Sequence, residues 1–170
     1  VVNGTVSPTL TVDPKSYRFR ILNGANDRFF NLSFYKAVDA NGDFCDSSNL
    51  KPEPSPTGVA CTEVLLNPDE VAGALEDSTI FPTPMAGTEG PDWIQIGTEG
   101  GFLPAPTVFP AHPTTWVNDP TVFNAGNVDL HSLLVAPAER ADVIVDFSKF
   151  AGQTLILYND APAAFPARDP

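Results

Sequence analysis

The residues of this chain that could bind a transition metal are few: two histidines, two cysteines and one methionine among 170 residues. A site for a single electron-transfer copper ion already needs two imidazoles and a thiolate held together in trigonal geometry. His112 lies in a proline-flanked loop, and His131 falls on the polar face of a predicted strand. A surface or packing role is therefore favoured for both over ligation. We predict no catalytic, cofactor-binding or metal-binding residue in this chain, and no cofactor of its own.

The carboxylates that could do acid–base chemistry have a simpler structural explanation. Asp142 and Asp146 recur four residues apart on a predicted strand, which places both side chains on one face and imitates a glycosidase acid pair. Because these aspartates alternate with apolar residues, they are better explained as the solvent-facing side of the strand. Glu139 and Arg140, just before that strand, are predicted to form a structural ion pair. Neither cysteine has a nearby histidine, and no serine lies in a Gly-x-Ser-x-Gly turn, so nucleophilic catalysis lacks its parts.

The two cysteines flank a polar, proline-rich segment at residues 46–60. We predict a structural disulfide between Cys45 and Cys61, with two free thiols as the alternative. Closing a loop of this length is worth about 3 kcal/mol in the chain-entropy model, and such bonds persist in oxidising compartments. An extracellular or periplasmic, secreted location is therefore expected. The sequons that begin at Asn3 and Asn31 fit a secreted protein but are weak signals.

Four aromatic residues could form a ligand-binding platform: Trp93, Phe102, Phe109 and Trp116. Carbohydrate-binding sandwiches use aromatics in this way. Burial against neighbouring domains is the favoured alternative.

Composition indicates a single all-β domain. Eighteen prolines and twelve glycines, scattered between short β-rich runs, interrupt the chain too often for long helices. The formal net charge of -12 argues against nucleic acid and anionic lipid as partners. No apolar run is long enough to span a membrane.

The short elements expected along the chain follow period-two alternation. The strands at 16–23 and 28–35 are predicted to form a hairpin across an Asn-Gly turn, and residues 40–61 form an inserted loop. One short helix is predicted at 67–75, and a tight turn at 97–101 follows the strand at 92–97. The remaining strands are expected at 62–66, 130–135, 141–147 and 154–158. This spacing predicts a mostly antiparallel Greek-key sandwich or barrel over residues 1–160, with a linker at 161–170.

Three ordered stretches resemble the middle domain of multicopper oxidases. They are Val-Asn-Gly at 2–4 with Tyr-Arg-Phe-Arg-Ile-Leu-Asn at 17–23, then Ile-Gly-Thr-Glu-Gly-Gly at 96–101, then Pro-Ala-Glu-Arg-Ala-Asp-Val-Ile-Val-Asp-Phe at 137–147. These stretches are most similar to those of the spore-coat laccase and bilirubin oxidase branch, with Glu99 in place of the usual Asp. The similarity extends over nearly the whole chain.

The resemblance implies a copper-free, cupredoxin-like domain between two copper-bearing domains of the same polypeptide. It implies a parent oxidase that oxidises phenols, other organics or metal ions and reduces dioxygen to water. In cupredoxins the ligand cysteine is closely followed by a histidine and then usually a methionine, whereas here Met85 and then His112 follow Cys61 at a distance. The chain alone is therefore not expected to be an enzyme. A self-standing secreted module that binds carbohydrate or protein is the alternative, and the isolated chain is expected to self-associate through apolar patches.

Overall fold

The described residues fold into two antiparallel sheets and one short helix. The computed structural model describes residues 2–45, 60–77 and 81–161. Its elements are β1 (Ser16–Leu22), β2 (Phe30–Val38), β3 (Glu63–Val64), α1 (Pro68–Glu76), β4 (Trp93–Thr98), β5 (Gly101–Phe109), β6 (Leu133–Val135), β7 (Arg140–Asp146) and β8 (Leu155–Asn159). The predicted all-β, cupredoxin-like sandwich with one short helix is confirmed.

The first sheet has the strand order β1-β7-β4-β5, and the second has the order β3-β2-β6 with β8 also paired to β2. All of these pairs are antiparallel. Sequence neighbours are mostly not sheet neighbours, so the chain crosses repeatedly from one sheet to the other.

The predicted hairpin between the first two strands is wrong, because β1 pairs with β7 in the first sheet and β2 pairs with β8 and β6 in the second. Asn23 explains the difference. Its buried side chain donates to the backbone oxygens of Arg28 (2.7 Å) and Val135 (2.9 Å) and accepts a hydrogen bond from the Ala25 N–H (2.9 Å). The Asn-Gly pair therefore forms a corner that passes the chain between sheets, not a two-residue turn.

The edge strand β5 was not among the predicted strands, and it contains Pro104 and Pro106. Pairing with β4 is interrupted: Gln95 faces Thr107, and the next pair joins Gly97 to Phe102. Residues 103–106 therefore have no register partner on β4, and the two prolines, which have no N–H to donate, lie in this unpaired part of the strand.

The core lies between the sheets and is built from inward-facing residues of β2, β4, β6 and β7. Trp93 is its largest member and is 1% exposed; its indole N–H donates to the Leu32 backbone oxygen at 2.7 Å, and its ring lies 4.8 Å from that of Phe34. The other buried members are Leu32, Leu133, Val135, Ala141, Val143, Val145 and Phe147.

The helix α1 begins where Asn67 caps it, the Asn67 Oδ1 accepting a hydrogen bond from the Asp69 N–H, with Pro68 in the first turn. Glu70 fixes the helix to the following loop, since its Oε2 accepts both the N–H and the hydroxyl of Thr83 at 2.7 Å. Within the described part of the chain, no helix has the length and apolar character needed to cross a membrane.

The structure describes only part of the predicted inserted loop and of the predicted linker. Most of the predicted inserted loop, residues 46–59, lies outside the described residues, as do residues 162–170 of the predicted linker. Ala161 is buried, and its backbone oxygen accepts a hydrogen bond of 2.9 Å from Arg28. The division of the chain at residue 160 stays a prediction.

Candidate functional site

The two histidines are each held by the carbonyl of the next residue. Nδ1 of His112 lies 2.5 Å from the Pro113 oxygen, and Nδ1 of His131 lies 2.7 Å from the Ser132 oxygen. The His131 ring also stacks on Phe109, with 6.3 Å between ring centroids. His131 lies just before β6. The prediction that it lies on the polar face of a strand is therefore wrong. Across residues 2–45, 60–77 and 81–161, no group of three or more His, Cys, Asp or Glu side chains is placed to hold a metal.

Cys45 and Cys61 are joined by a disulfide, with their Cα atoms 6.0 Å apart. The bond ties the segment after β2 to the segment before β3. A cysteine in a disulfide has no thiolate to offer a metal. Because the sequence contains only these two cysteines, the disulfide leaves no thiol ligand in the whole chain.

The four aromatic residues of the proposed ligand platform do not share a surface. Trp93 and Phe109 are register partners that pack into the core, whereas Phe102 is 75% exposed on the opposite face of the same sheet. Trp116 contacts Phe81, with 6.4 Å between the ring centroids. The arrangement therefore removes the observation that suggested a carbohydrate-binding module.

Asp142 and Asp146 both lie on the solvent side of β7, as alternation predicts, and each has a structural partner. Arg18 donates two hydrogen bonds to Asp142, from Nε to Oδ1 (2.8 Å) and from Nη2 to Oδ2 (2.5 Å). These hydrogen bonds hold the pKa of Asp142 below its usual value. The carboxylate of Asp146 accepts the N–H (3.0 Å) and hydroxyl (3.1 Å) of Ser148, which likewise lowers its pKa. Neither carboxyl group is tuned to donate a proton near neutral pH.

The expected ion pair between Glu139 and Arg140 is replaced by other contacts. Glu139 Oε2 accepts the Ala136 N–H at 2.7 Å and so closes the turn before β7, where Ala138 has a φ of 68°. The backbone N–H of Arg140 donates to Glu99 Oε2 at 3.2 Å. Hydrogen bonds from its own backbone and from that of Arg140 lower the pKa of Glu99.

The three stretches that carry the family resemblance meet on one side of the first sheet. Their strands β1, β7, β4 and β5 lie side by side in this order. Arg18 of the first stretch binds Asp142 of the third and lies 5.8 Å from the centre of the Phe102 ring, just after the second. Gly97 fits between them because a Cβ there would lie 2.8 Å from the Gly101 oxygen. The convergence could not be read from sequence, since it depends on the order of the strands.

We define the outer face as the side of the first sheet that points away from the core. It carries Arg18 and Arg20 from β1, Asp142 and Ile144 from β7, Ile94 from β4, and Phe102 and Val108 from β5. One transverse row joins Arg20, Asp142, Gly97 and Phe102, and the next joins Arg18, Ile144, Ile94 and Val108. Ile144, Ile94 and Val108 of the second row form an apolar strip, which is open to solvent at one end because Val108 is 56% exposed.

The second sheet differs along β2, where the side chains on both sides of the strand are buried or half-buried. On β2, the residues that point away from the core include Ser33, Tyr35 and Ala37, all of which are buried. Burial raises the pKa of Tyr35 to about 12. Among the residues that the structure describes, the outer face of the first sheet is thus more exposed than the corresponding side of β2.

A buried polar cluster around Asn31 fastens the end of β8. Asn31 is 1% exposed; its Oδ1 accepts the Ser132 N–H (2.7 Å), and its Nδ2 donates to the His112 oxygen (3.0 Å) and to Asp160 Oδ1 (2.5 Å). Asp160 also accepts hydrogen bonds from the Thr114 N–H and hydroxyl. Burial raises the pKa of Asp160. No local sequence pattern predicts this cluster, which has a structural role.

Comparison with curated proteins finds relatives over nearly the whole chain. A laccase from Bacillus subtilis is 29% identical over 161 residues, which are 95% of this chain and 17% of that protein. A laccase from Haloferax volcanii is 32% identical over the same share of both. A multicopper oxidase from Arabidopsis thaliana is 27% identical over 170 residues, 100% of this chain and 16% of its own length. The chain is related to the multicopper oxidases.

The chain spans about one sixth of the length of these multicopper oxidases and laccases, as one domain of a larger polypeptide does. No family model matches it. The predicted resemblance to a multicopper oxidase domain is confirmed. The donors do not fit the copper site that such oxidases use for electron transfer, since two imidazoles remain and both thiols are in the disulfide.

Proposed function

We propose that this chain is the middle, copper-free domain of a three-domain multicopper oxidase, where it positions two flanking copper-bearing domains. The domain comprises residues 1–160, and residues 161–170 lead to the domain that follows. The parent enzyme oxidises phenols, other organics or metal ions and passes the electrons to dioxygen at copper sites in the flanking domains. This chain alone is not catalytic.

The observation that carries the proposal is the state of the sulfur ligands. The chain aligns with the oxidases from end to end, yet both of its cysteines are in the Cys45–Cys61 disulfide. A blue-copper centre needs a thiolate in addition to two imidazoles. The copper chemistry of the relatives is therefore assigned to the rest of the polypeptide.

The outer face supports a scaffold role. Its apolar strip and its Arg18–Asp142 pair lie on strands whose opposite sides form the core, so a domain docked there would be held by a rigid sheet. The disulfide supports an oxidising location, outside the cell or in the periplasm.

Copper content tests the proposal. The 170-residue chain is loaded with excess copper, dialysed extensively and measured by elemental mass spectrometry together with its visible spectrum. We expect well below one copper per chain and no blue absorption band. The matched control is the H112A/H131A double variant, which should retain the same trace of copper as the wild type.

Tight, stoichiometric copper that the double variant loses would overturn the copper-free role and make the histidines ligands. The longer polypeptide treated in the same way serves as the positive control. It should retain copper and oxidise a phenol, and absence of both would remove the assignment of the parent as an oxidase.

A further inference from the structure

We propose that a groove at the end of the outer face, between Arg20 and Arg140, receives a carboxylate side chain from a neighbouring domain of the same polypeptide. This inference rests on the proposed function, because it names the partner of the outer face. The groove has a volume of about 280 Å³ and is also lined by Leu22, Thr98, Glu99 and Asp142.

The charge distribution gives the first argument. The chain has 21 acidic and nine basic residues, yet three of the nine, Arg18, Arg20 and Arg140, lie together here. With Asp142 and Glu99 included, these three arginines leave a formal charge of +1 at the groove, whereas the whole chain carries -12. A concentration of arginine in an acidic protein favours a partner surface that presents carboxylates.

The second argument is that the carboxylates already present are engaged. Asp142 accepts hydrogen bonds from Nε and Nη2 of Arg18. Arg20 comes no closer than 4.0 Å to it, the distance from Arg20 Nε to Asp142 Oδ2. Glu99 accepts the backbone N–H of Arg140, and its pKa is lowered chiefly by backbone hydrogen bonds and to a smaller extent by the positive charge of Arg140. In the part of the chain that the structure describes, the Arg140 guanidinium has no carboxylate within 4.0 Å.

The third argument is geometric. Arg20 faces Asp142 in the register and Leu22 faces Arg140, so the two guanidinium groups emerge two positions apart on adjacent strands. Planar guanidinium groups bind carboxylates through paired hydrogen bonds. Leu22, which is 57% exposed, supplies an apolar border that a docked domain would cover.

Covering the groove would strengthen such a pair. The Arg20 side chain is 78% exposed, and an ion pair in that setting contributes little. A docked domain excludes water and lowers the local dielectric, so that a hydrogen-bonded carboxylate holds the two domains in one register.

Arginine footprinting tests the inference. Phenylglyoxal modification of Arg20 and Arg140 is followed by peptide mass spectrometry in the 170-residue chain and in the longer polypeptide. We expect both residues to react about tenfold more slowly in the longer polypeptide, because modification then requires the domains to separate. Equal rates in the two samples would overturn the inference.

Charge reversal separates a bound carboxylate from simple coverage. The R20E/R140E variant should lower the thermal midpoint of the longer polypeptide by several degrees more than that of the 170-residue chain, in which the new glutamates lie near Asp142 and Glu99 but lose no docked partner. K149E changes an exposed lysine in the same way outside the groove and should leave both midpoints unchanged. If R20E/R140E lowers the two midpoints equally, or has no larger effect than K149E, the groove binds no carboxylate.

The occupant is checked by dilution. Protection of Arg20 and Arg140 in the concentrated 170-residue chain that disappears on dilution would identify a second copy as the occupant and overturn the inference. Copper bound by this chain would instead overturn the proposed function without changing the footprint.

Discussion

The guanidinium of Arg18 and the carboxylate of Asp142 join the two strands that begin the outer face, with hydrogen bonds of 2.8 and 2.5 Å. The Arg18 side chain also lies against the ring of Phe102 on the far edge of the sheet. One arginine thus connects strands β1, β7 and β5, which come from distant parts of the sequence.

Acid should weaken the fold through Asp142. Its pKa is lowered in the folded state, chiefly by the hydrogen bond from Arg18, so the stabilisation is present above the ordinary aspartate pKa and is lost as pH falls through the folded pKa. The D142N variant lacks this dependence. Urea unfolding of both proteins between about pH 6 and pH 2 should give stabilities that converge toward acid pH. A constant difference would contradict the assignment.

The two faces of the first sheet should respond differently to the same truncation. Val145 is fully buried, and V145A should lower the free energy of unfolding by about 1.5–3 kcal/mol through lost apolar contacts and a cavity. V108A makes the same change on the outer face and should alter it by less than about 0.5 kcal/mol. Urea denaturation of the isolated chain measures both. Equal losses would mean that the outer face is covered in the isolated chain.

Gly97 should tolerate no side chain. A Cβ there would meet the Gly101 backbone oxygen at 2.8 Å and Asp142 Cβ at 3.4 Å, so G97A should destabilise the chain by about 1–3 kcal/mol. Gly100 in the same turn is the control, because a Cβ there finds only Thr98 Oγ1 at 3.7 Å. G100A should change the thermal midpoint little. A larger loss from G100A than from G97A would contradict the packing described for the turn.

The disulfide should stabilise the isolated chain. The C45A/C61A variant should lose about 2–4 kcal/mol, mainly because its unfolded state gains freedom in the loop that Cys45 and Cys61 close. Denaturant titration with and without a thiol reductant provides the check. The wild type should move toward the variant on reduction, while the variant should not respond; an unaffected wild type would show that the bond contributes nothing to stability.

Local patterns predicted much of the fold, because alternation and turn residues are short-range signals. The strands at β1 and β7 follow their period-two sequences, and α1 follows its Asn67-Pro68 start. The hairpin between β1 and β2 was wrong because the Asn23 side chain is held by Val135, a partner more than a hundred residues away. The same limit applies to the site: Arg20 and Arg140 meet only because β1 pairs with β7.

The buried Asn31 has a consequence for how the chain can be produced. In a eukaryotic secretory pathway, oligosaccharide is transferred to an Asn-x-Ser sequon during or soon after synthesis, before the amide is enclosed. A sugar on Nδ2 cannot be accommodated where that atom donates to His112 and Asp160. In such a host, chains glycosylated at this position would fail to close the cluster that fastens β8, so the yield of folded protein depends on which is faster, folding or sugar transfer.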